Sequence, residues 1–140
     1  MKKQFSWDPG TGEAGCRIFY KKNIFKAFAH CHDDDIDFMG EKTGCSIAEM
    51  RAEIKLLKHI KNNEVIPQIQ VLNHIYSIYM ASEKYNKKSN EAKIVYNELH
   101  RLEKELAVIN NSIVTLTENL TAYIAEKEKF YKRIRKGRKQ

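Results

Sequence analysis

From about residue 95 to residue 134 the chain carries an unbroken coiled-coil register. The positions of this register are separated alternately by four and by three residues. They are Val95, Leu99, Leu102, Leu106, Ile109, Ile113, Leu116, Leu120, Tyr123, Lys127, Phe130 and Ile134. Only Lys127 interrupts their apolar character. A period of 3.5 residues is typical of a helix that packs against another helix along a narrow seam. The sequence therefore predicts one long helix that needs a helical partner, and it names no reaction.

A second helical region is predicted to begin at Ser46, which forms a capping box with Glu49. Its apolar positions are Ile47, Met50, Ile54, Leu57 and Ile60. The pattern weakens at residues 61–64 and then resumes as far as residue 79. Two interpretations fit this interruption: Asn63 caps a new helix with Pro67 in its first turn, or one long helix kinks there.

The two helical regions are similar in length, and residues 84–90 are predicted to be the turn between them. At about 1.5 Å per residue they would run roughly 60 and 70 Å, which favours a long antiparallel helical hairpin. Such a hairpin has little interior, and the region after residue 65 carries a second apolar stripe. That stripe comprises Ile66, Ile75, Ile78 and Met80. We therefore expect a homo-oligomer, most simply a two-fold four-helix arrangement.

The N-terminal part is predicted to be an arm and turn over residues 1–14, followed by a β-hairpin over residues 15–31. A two-residue loop at Lys22 and Asn23 would pair Tyr20 with Phe25. This register places Cys16, Ile18, Tyr20, Phe25, Ala27, Ala29 and Cys31 on one face, and Arg17, Phe19, Lys26 and Phe28 on the other.

The predicted fold class is mainly α, a long antiparallel helical hairpin or coiled coil with a small N-terminal β-hairpin. It divides into residues 1–45 (arm, hairpin and acidic turn), residues 46–136 (helical region) and residues 137–140 (end of the basic tail), which we expect to form one compact unit.

The net charge of the chain is +7, with 25 Lys and Arg against 18 Asp and Glu. Residues 127–139 hold eight basic residues and one acidic residue, so the rest of the chain sums to zero. The candidate nucleic-acid-binding residues of this tail are Lys132, Arg133, Arg135, Lys136, Arg138 and Lys139. Contacts from such a tail to phosphates would be non-specific and salt-sensitive. Alternatively, the tail solubilises the chain and pairs with the acidic turn.

The acidic turn at residues 31–37 is the densest set of functional groups. It could hold a divalent cation, but Asp clusters also favour turns, and that structural interpretation is preferred. Cys16, Cys31 and Cys45 lack the close pair typical of zinc sites, so they are predicted to be small buried residues. No nucleotide-binding loop or catalytic constellation is present. We therefore expect no metal, no cofactor and no enzymatic activity.

Two other sets of residues are candidates for binding. For a small nucleotide-like anion the predicted ligand-binding residues are His32, Asp33, Asp34, Asp35, Arg51, Lys87 and Lys88. For a protein partner, the predicted contact surface is the edge of the hairpin with its exposed Phe19 and Phe28. No apolar run approaches the roughly 20 residues that span a bilayer, and no signal-peptide core is present. We expect a cytosolic protein without a membrane partner.

The chain also shows a resemblance that runs over most of its length. The residues concerned are Gly12, Cys16-Arg17-Ile18-Phe19-Tyr20-Lys21, Cys31-His32-Asp33-Asp34-Asp35, Asp37-Phe38, Glu41-Lys42-Thr43-Gly44, Ile47-Ala48-Glu49 and Arg51-Ala52, and the likeness extends to Tyr85-Asn86-Lys87-Lys88-Ser89. This pattern resembles a family of small uncharacterised proteins of phages and prophages of Gram-positive bacteria. The resemblance implies a phage accessory protein that acts in the host cytosol, and it carries over no catalytic residue.

The expected function is therefore that of a non-enzymatic phage accessory protein. It would inhibit a host defence factor or sequester a small anionic signal molecule. The alternative is a nucleic-acid-binding accessory of phage replication or recombination that acts through the basic tail.

Overall fold

The computed structural model describes residues 1–30, 36–81 and 90–138, and it is mainly helical with a small N-terminal antiparallel sheet. The elements are β1 (Lys2–Asp8), β2 (Glu13–Tyr20), β3 (Asn23–His30), α1 (Ile36–Ile60), a π-helical segment (Lys61–Val65), α2 (Ile66–Ala81) and α3 (Asn90–Arg138). Two compact units are present: Met1–Leu56 with Val114–Gln140, and Leu57–Ile113. The predicted mainly helical class and the long C-terminal helix are confirmed.

The predicted N-terminal arm is a strand, so this part of the prediction was wrong. β1 pairs antiparallel with β2 from Lys2 opposite Phe19 to Asp8 opposite Glu13, and β2 becomes the central strand of three. The loop closes where the Gly12 N–H donates to the Asp8 carbonyl at 2.7 Å, with Gly12 at a φ of 72°. The turn residues after Asp8 therefore join two strands, whereas the prediction took them as the end of regular structure.

The register of the β2–β3 hairpin also differs from the prediction. Its loop is Lys21 and Lys22, and Tyr20 pairs with Asn23 rather than with Phe25. The partners have shifted by two residues, which preserves the face on which each side chain lies. The predicted faces are therefore confirmed for the described residues, although the pairing itself was wrong.

The observed register builds a floor of small side chains on which α1 packs. Opposing pairs in this floor are Ala14 with Ala29 and Cys16 with Ala27, and all four residues are buried. From α1, residues at intervals of four face inward: Gly44, Ala48, Ala52 and Leu56. A Cβ added to Gly44 would lie 2.8 Å from the Ala14 Cβ and 3.3 Å from the Trp7 ring. The absence of a side chain at Gly44 therefore sets how closely the helix approaches the sheet.

The helix predicted to begin at Ser46 begins earlier, so the capping box does not mark its start. α1 spans Ile36–Ile60 and is interrupted at Gly40, whose φ of 64° and ψ of 159° are not helical. This conformation is essentially restricted to glycine. The helix that follows Gly40 buries Thr43 and Gly44 against the sheet, and burial of this extra turn outweighs the local capping signal of Ser46.

The structure decides between the two interpretations of the interruption near residue 63. Helical geometry continues from Ile60 through the π-helical segment into Ile66, whose N–H donates to the Lys61 carbonyl. The Asn63 side chain donates to the His59 carbonyl at 3.2 Å and does not cap a new helix. A π-helical turn is a common way to accommodate an inserted residue. The region is therefore continuous, and Pro67 lies in the first turn after the irregularity.

The heptad stripe of α3 is its least exposed stripe. Leu99, Leu102 and Ile109 are buried, and the other stripe positions from residue 95 to residue 127 are half-buried. The predicted stripe fails at Phe130, which is 51% exposed. Within the unit Leu57–Ile113, the rings of Tyr76 on α2 and Tyr96 on α3 lie 6.0 Å apart between centroids. α2 itself has no charged residue and no buried residue.

Candidate binding surface on the N-terminal sheet

The face of the sheet that points away from α1 presents twelve residues in cross-strand rows of three, and we call it the outer face. Its rows, in the order β1, β2, β3, are Lys2–Phe19–Ile24, Gln4–Arg17–Lys26, Ser6–Gly15–Phe28 and Asp8–Glu13–His30. Every residue in these rows is exposed except Phe19, which is half-buried, and Gly15, which is buried. The outer face is therefore open to solvent across all three strands.

Two cations stand side by side in the middle of the outer face. Arg17 and Lys26 are direct cross-strand partners, and both are exposed. Among the described residues, neither side chain forms an ion pair. Like charges directly opposite each other destabilise a sheet. This arrangement is unfavourable for the chain alone, and an anion placed between the two groups would relieve the repulsion.

Aromatic side chains flank these cations on both sides. Phe19 occupies the row on one side, and Phe28, which is 52% exposed, occupies the row on the other. A Cβ at Gly15 would lie 3.2 Å from the Phe28 ring, so the glycine leaves room for this ring on the sheet surface. A shallow cavity of about 250 Å³ opens here, lined by residues that include Gln4, Ser6, Arg17 and Phe28.

The β3 edge of the sheet is occupied by two cations from α1. The Arg51 Nη1 donates to the Phe28 carbonyl at 2.7 Å, and the Lys55 Nζ donates to the Lys26 carbonyl at 2.7 Å. These bonds cover the carbonyls that an added strand would use. Arg51, a predicted ligand-binding residue, therefore lies beside the outer face with one of its donors engaged by the backbone.

The opposite face of the sheet has its cation neutralised. The Lys3 Nζ lies 2.6 Å from the Glu53 Oε1 and 3.7 Å from the Glu49 Oε2 of α1. The hydrogen bond to Glu53 raises the pKa of Lys3. Lys3 therefore holds the helix on the sheet, and the charges available to a partner are those of the outer face and the β3 edge.

The structure describes only some of the residues that the sequence predicted as sites. His32, Asp33, Asp34, Asp35, Lys87, Lys88 and Lys139 lie outside the described residues. In the tail, Lys132, Arg133 and Lys136 are exposed on the last turns of α3, which also include Arg135 and Arg138. Within residues 1–30, 36–81 and 90–138, no group of three or more His, Cys, Asp or Glu side chains is placed to hold a metal ion.

The sequence reasoning missed the basic character of the sheet. Residues 1–30 hold six basic and two acidic residues, a net charge of +4 that an acidic excess elsewhere conceals in the total. The signal that could have revealed it is the period-two alternation of Arg17 with Phe19 on one strand and of Lys26 with Phe28 on the next. The place of Lys55 at the sheet edge could not be predicted from the sequence, because its hydrogen bond joins residues 29 positions apart.

No protein-family model matches this chain, and neither a curated protein nor a solved structure matches it significantly. In the described part of the chain, none of the helices is both long enough and apolar enough to cross a bilayer.

The groups beneath the sheet predict how stability depends on pH. Burial raises the pKa of the Cys16 thiol above its ordinary value of 9.0, and the hydrogen bond to Glu53 raises that of Lys3 above 10.5. As pH rises, the unfolded chain loses these protons first, so the free energy of unfolding should fall from about pH 9 upward. Urea unfolding over a pH series measures this fall.

The variant Cys16→Val should reduce the loss of stability between pH 9 and pH 10 because it removes the buried thiol. Unchanged pH dependence in this variant would contradict the assignment to Cys16.

Proposed function

We propose that this chain is a non-enzymatic binding protein whose outer face contacts an anionic partner. The observation that carries the proposal is the pair of neighbouring cations, Arg17 and Lys26, that have no ion-pair partner among the described residues and lie between Phe19 and Phe28. Both phenylalanines were predicted to contact a partner. The carbonyl bonds of Arg51 and Lys55 add two cations at the border of the same surface.

The resemblance to proteins of phages and prophages supports a more specific form of this proposal. In that form the chain is a phage accessory protein of the host cytosol that inhibits a host defence factor or sequesters a small anionic signal molecule. Either partner would present negative charge to the outer face. Arg51, the one predicted ligand-binding residue that the structure describes, lies at its border.

The test replaces the two cations of the outer face and compares the effect on binding with the effect of replacing two cations of the tail. The double variant Arg17→Gln/Lys26→Gln should bind a heparin dodecasaccharide about 30-fold more weakly, because each cation near an anionic surface contributes about 1 kcal/mol. The same variant should be more stable to urea than the parent by up to about 1 kcal/mol, because a repulsive cross-strand pair is removed. Isothermal titration calorimetry and urea unfolding measure these two effects.

The matched control is Lys132→Gln/Lys136→Gln, which removes the same charge from exposed positions of the tail. It should weaken heparin binding less than the double variant of the outer face and leave the stability unchanged. Equal affinity in the parent and the Arg17→Gln/Lys26→Gln variant would refute the proposal.

A second candidate function is that of a nucleic-acid-binding accessory of phage replication or recombination that acts through the tail. The exposed Lys132, Arg133 and Lys136 support it, and the tail belongs to the same compact unit as the sheet. In the titration above, this alternative requires the tail variant to lose more affinity than the outer-face variant. Deletion of residues 132–140 would then abolish binding.

We also propose that α1, the π-helical segment and α2 form an antiparallel coiled-coil hairpin with α3 and that the chain assembles into a homo-oligomer. The seam of half-buried and buried residues on α3 and the contact between Tyr76 and Tyr96 support the hairpin. The uncharged α2, on which no residue is buried and on which Val71 and Ile78 are 59% and 54% exposed, supports assembly. A second copy would cover this uncharged surface of α2 with the identical surface of its own α2.

A further inference from the structure

We infer that the outer face binds single-stranded nucleic acid, with bases stacked on Phe19 and Phe28 and phosphates held by Arg17 and Lys26. This inference rests on the proposed function, because it names the chemical class of the anionic partner. It differs from the tail-mediated alternative, since it places the nucleic acid on the sheet. Exposed aromatic rings combined with a basic surface are the usual elements of single-strand recognition.

The spacing of the rows suits an extended strand of nucleotides. Phe19 and Phe28 lie two rows apart, and Arg17 and Lys26 occupy the row between them. Neighbouring rows on one face of a sheet are separated by two residues, or about 7 Å. The order along the strands is therefore aromatic, cationic, aromatic, so that two bases stacked on the phenylalanines would have the backbone that joins them pass over the two cations.

The surroundings of Phe28 give a planar group room to stack. The Phe28 ring is half exposed and packs over Gly15, and a cavity of about 250 Å³ beside it is lined by residues that include Arg17, Gln4, Phe5 and Ser6. A base on this ring would have amide and hydroxyl groups at its edge. Those groups can donate or accept hydrogen bonds with any base, so binding would tolerate sequence variation.

The edge of the sheet argues against a peptide strand as the occupant. Peptides that bind sheets commonly add a strand at an open edge through backbone hydrogen bonds. Here the Arg51 and Lys55 side chains already donate hydrogen bonds to the Phe28 and Lys26 carbonyls, and Phe19 lies on the central strand. Strand addition at the β3 edge is therefore disfavoured, and a ligand that contacts both Phe19 and Phe28 must lie across the face, where the two cations of the β3 edge extend the path available to its phosphates.

The shape of the surface also argues against a duplex. The major groove of DNA admits a helix or a two-stranded ribbon, whereas the outer face is three strands wide. Stacking on Phe19 and Phe28 further requires bases that are not already paired. We therefore expect a single strand to bind more tightly than a duplex of the same length.

The test is fluorescence anisotropy of the full chain with a labelled oligothymidylate and with an abasic oligonucleotide of the same length. Phe28→Ala should weaken binding of the oligothymidylate about tenfold, because stacking of one base is lost, and should leave the abasic affinity unchanged. Tyr96→Ala is the matched control, because Tyr96 is an aromatic residue of nearly equal exposure, 53% against 52% for Phe28, and lies on α3 rather than on the sheet. It should alter neither affinity.

A further variant separates stacking from folding. Phe28→Leu keeps an apolar side chain beside Gly15 but removes the aromatic ring, so it should show the same selective loss for the oligothymidylate. Helicity measured by circular dichroism should remain that of the parent. Equal affinity of the parent for abasic and base-carrying strands, or equal effects of Phe28→Ala and Tyr96→Ala, would overturn the inference.

Failure of the inference can be distinguished from failure of the proposed function. If Arg17→Gln/Lys26→Gln weakens binding of the abasic strand and of heparin while Phe28→Ala has no selective effect, the outer face binds anions but does not bind bases. If the double variant leaves every affinity unchanged, both the inference and the proposed function fail.

Discussion

Replacing Gly44 by valine is expected to destabilise the chain by roughly 3 kcal/mol, at the upper end of the cost of overpacking a well-packed contact. Even a single Cβ at this position would lie 2.8 Å from the Ala14 Cβ, and Ala14 is fully buried on the central strand. Neither atom is the end of a flexible side chain. The helix and the sheet must therefore move apart, which also loosens the other small residues at their contact.

The chain contains its own reporter for this change. Trp7 is the single tryptophan, and its ring lies 3.3 Å from the position of a Cβ at Gly44. Urea unfolding followed by Trp7 fluorescence and by circular dichroism should show a lower midpoint and altered native emission. The matched control is Gly137→Val, because Gly137 lies in α3 with open space around it. A Gly44→Val variant as stable as the Gly137→Val variant would contradict the described packing of α1 on the sheet.

Replacing Ile78 by glutamate is expected to dissociate the proposed homo-oligomer into monomers. Ile78 and Val71 are the most exposed large apolar residues of an α2 that has no charged side chain. In a two-fold assembly the substitution would occur on both sides of the interface, so two carboxylates would be buried together. Burial of unpaired charge costs several kcal/mol, so we expect the charged interface to open.

Sedimentation velocity over a range of concentrations measures the oligomeric state. The control is Val108→Glu, because Val108 is 63% exposed on α3, outside the uncharged surface of α2. It should leave the parent assembly intact. A monomeric parent would refute the assembly. Dissociation of both variants to the same extent would show that the interface is not on α2.

The elements that sequence predicted best are those defined by a repeated period. The stripe from Val95 to Lys127 matches the least exposed stripe of α3, because a long run averages out local exceptions. Alternation likewise assigned Cys16 and Ile18 to the covered face and Phe28 to the exposed face. Periodicity depends only on local geometry, and both helix and strand retain it after packing.

The failures all involve tertiary contacts between distant parts of the chain. The start of α1 was misplaced because Gly44 and Ala48, two small residues with weak apolar signals, form its closest contact with the sheet. The hairpin register was misplaced for the same reason, since the observed pairing aligns Ala14 with Ala29 under that helix. Helix packing favours small residues here, whereas sequence patterns give most weight to large ones.

The candidate surface was predicted in part. Phe19 and Phe28 were identified from the face on which alternation placed them, but their importance to a partner depends on Arg17 and Lys26 between them, and that row exists only once the strands are paired. The position of Arg51 at the β3 edge required the packed helix, because its hydrogen bond joins residues 23 positions apart.

The bonds from Arg51 and Lys55 to β3 have a consequence for protein quality control. Newly made copies of a small sheet can join edge to edge and polymerise, and a cell must then clear the aggregates. Two cations fixed on consecutive turns of one helix take up neighbouring acceptors on β3 and repel the same edge of a second copy. The β3 edge is thus protected from pairing with the β3 edge of a second copy, while the same sheet still displays Phe28 to solvent.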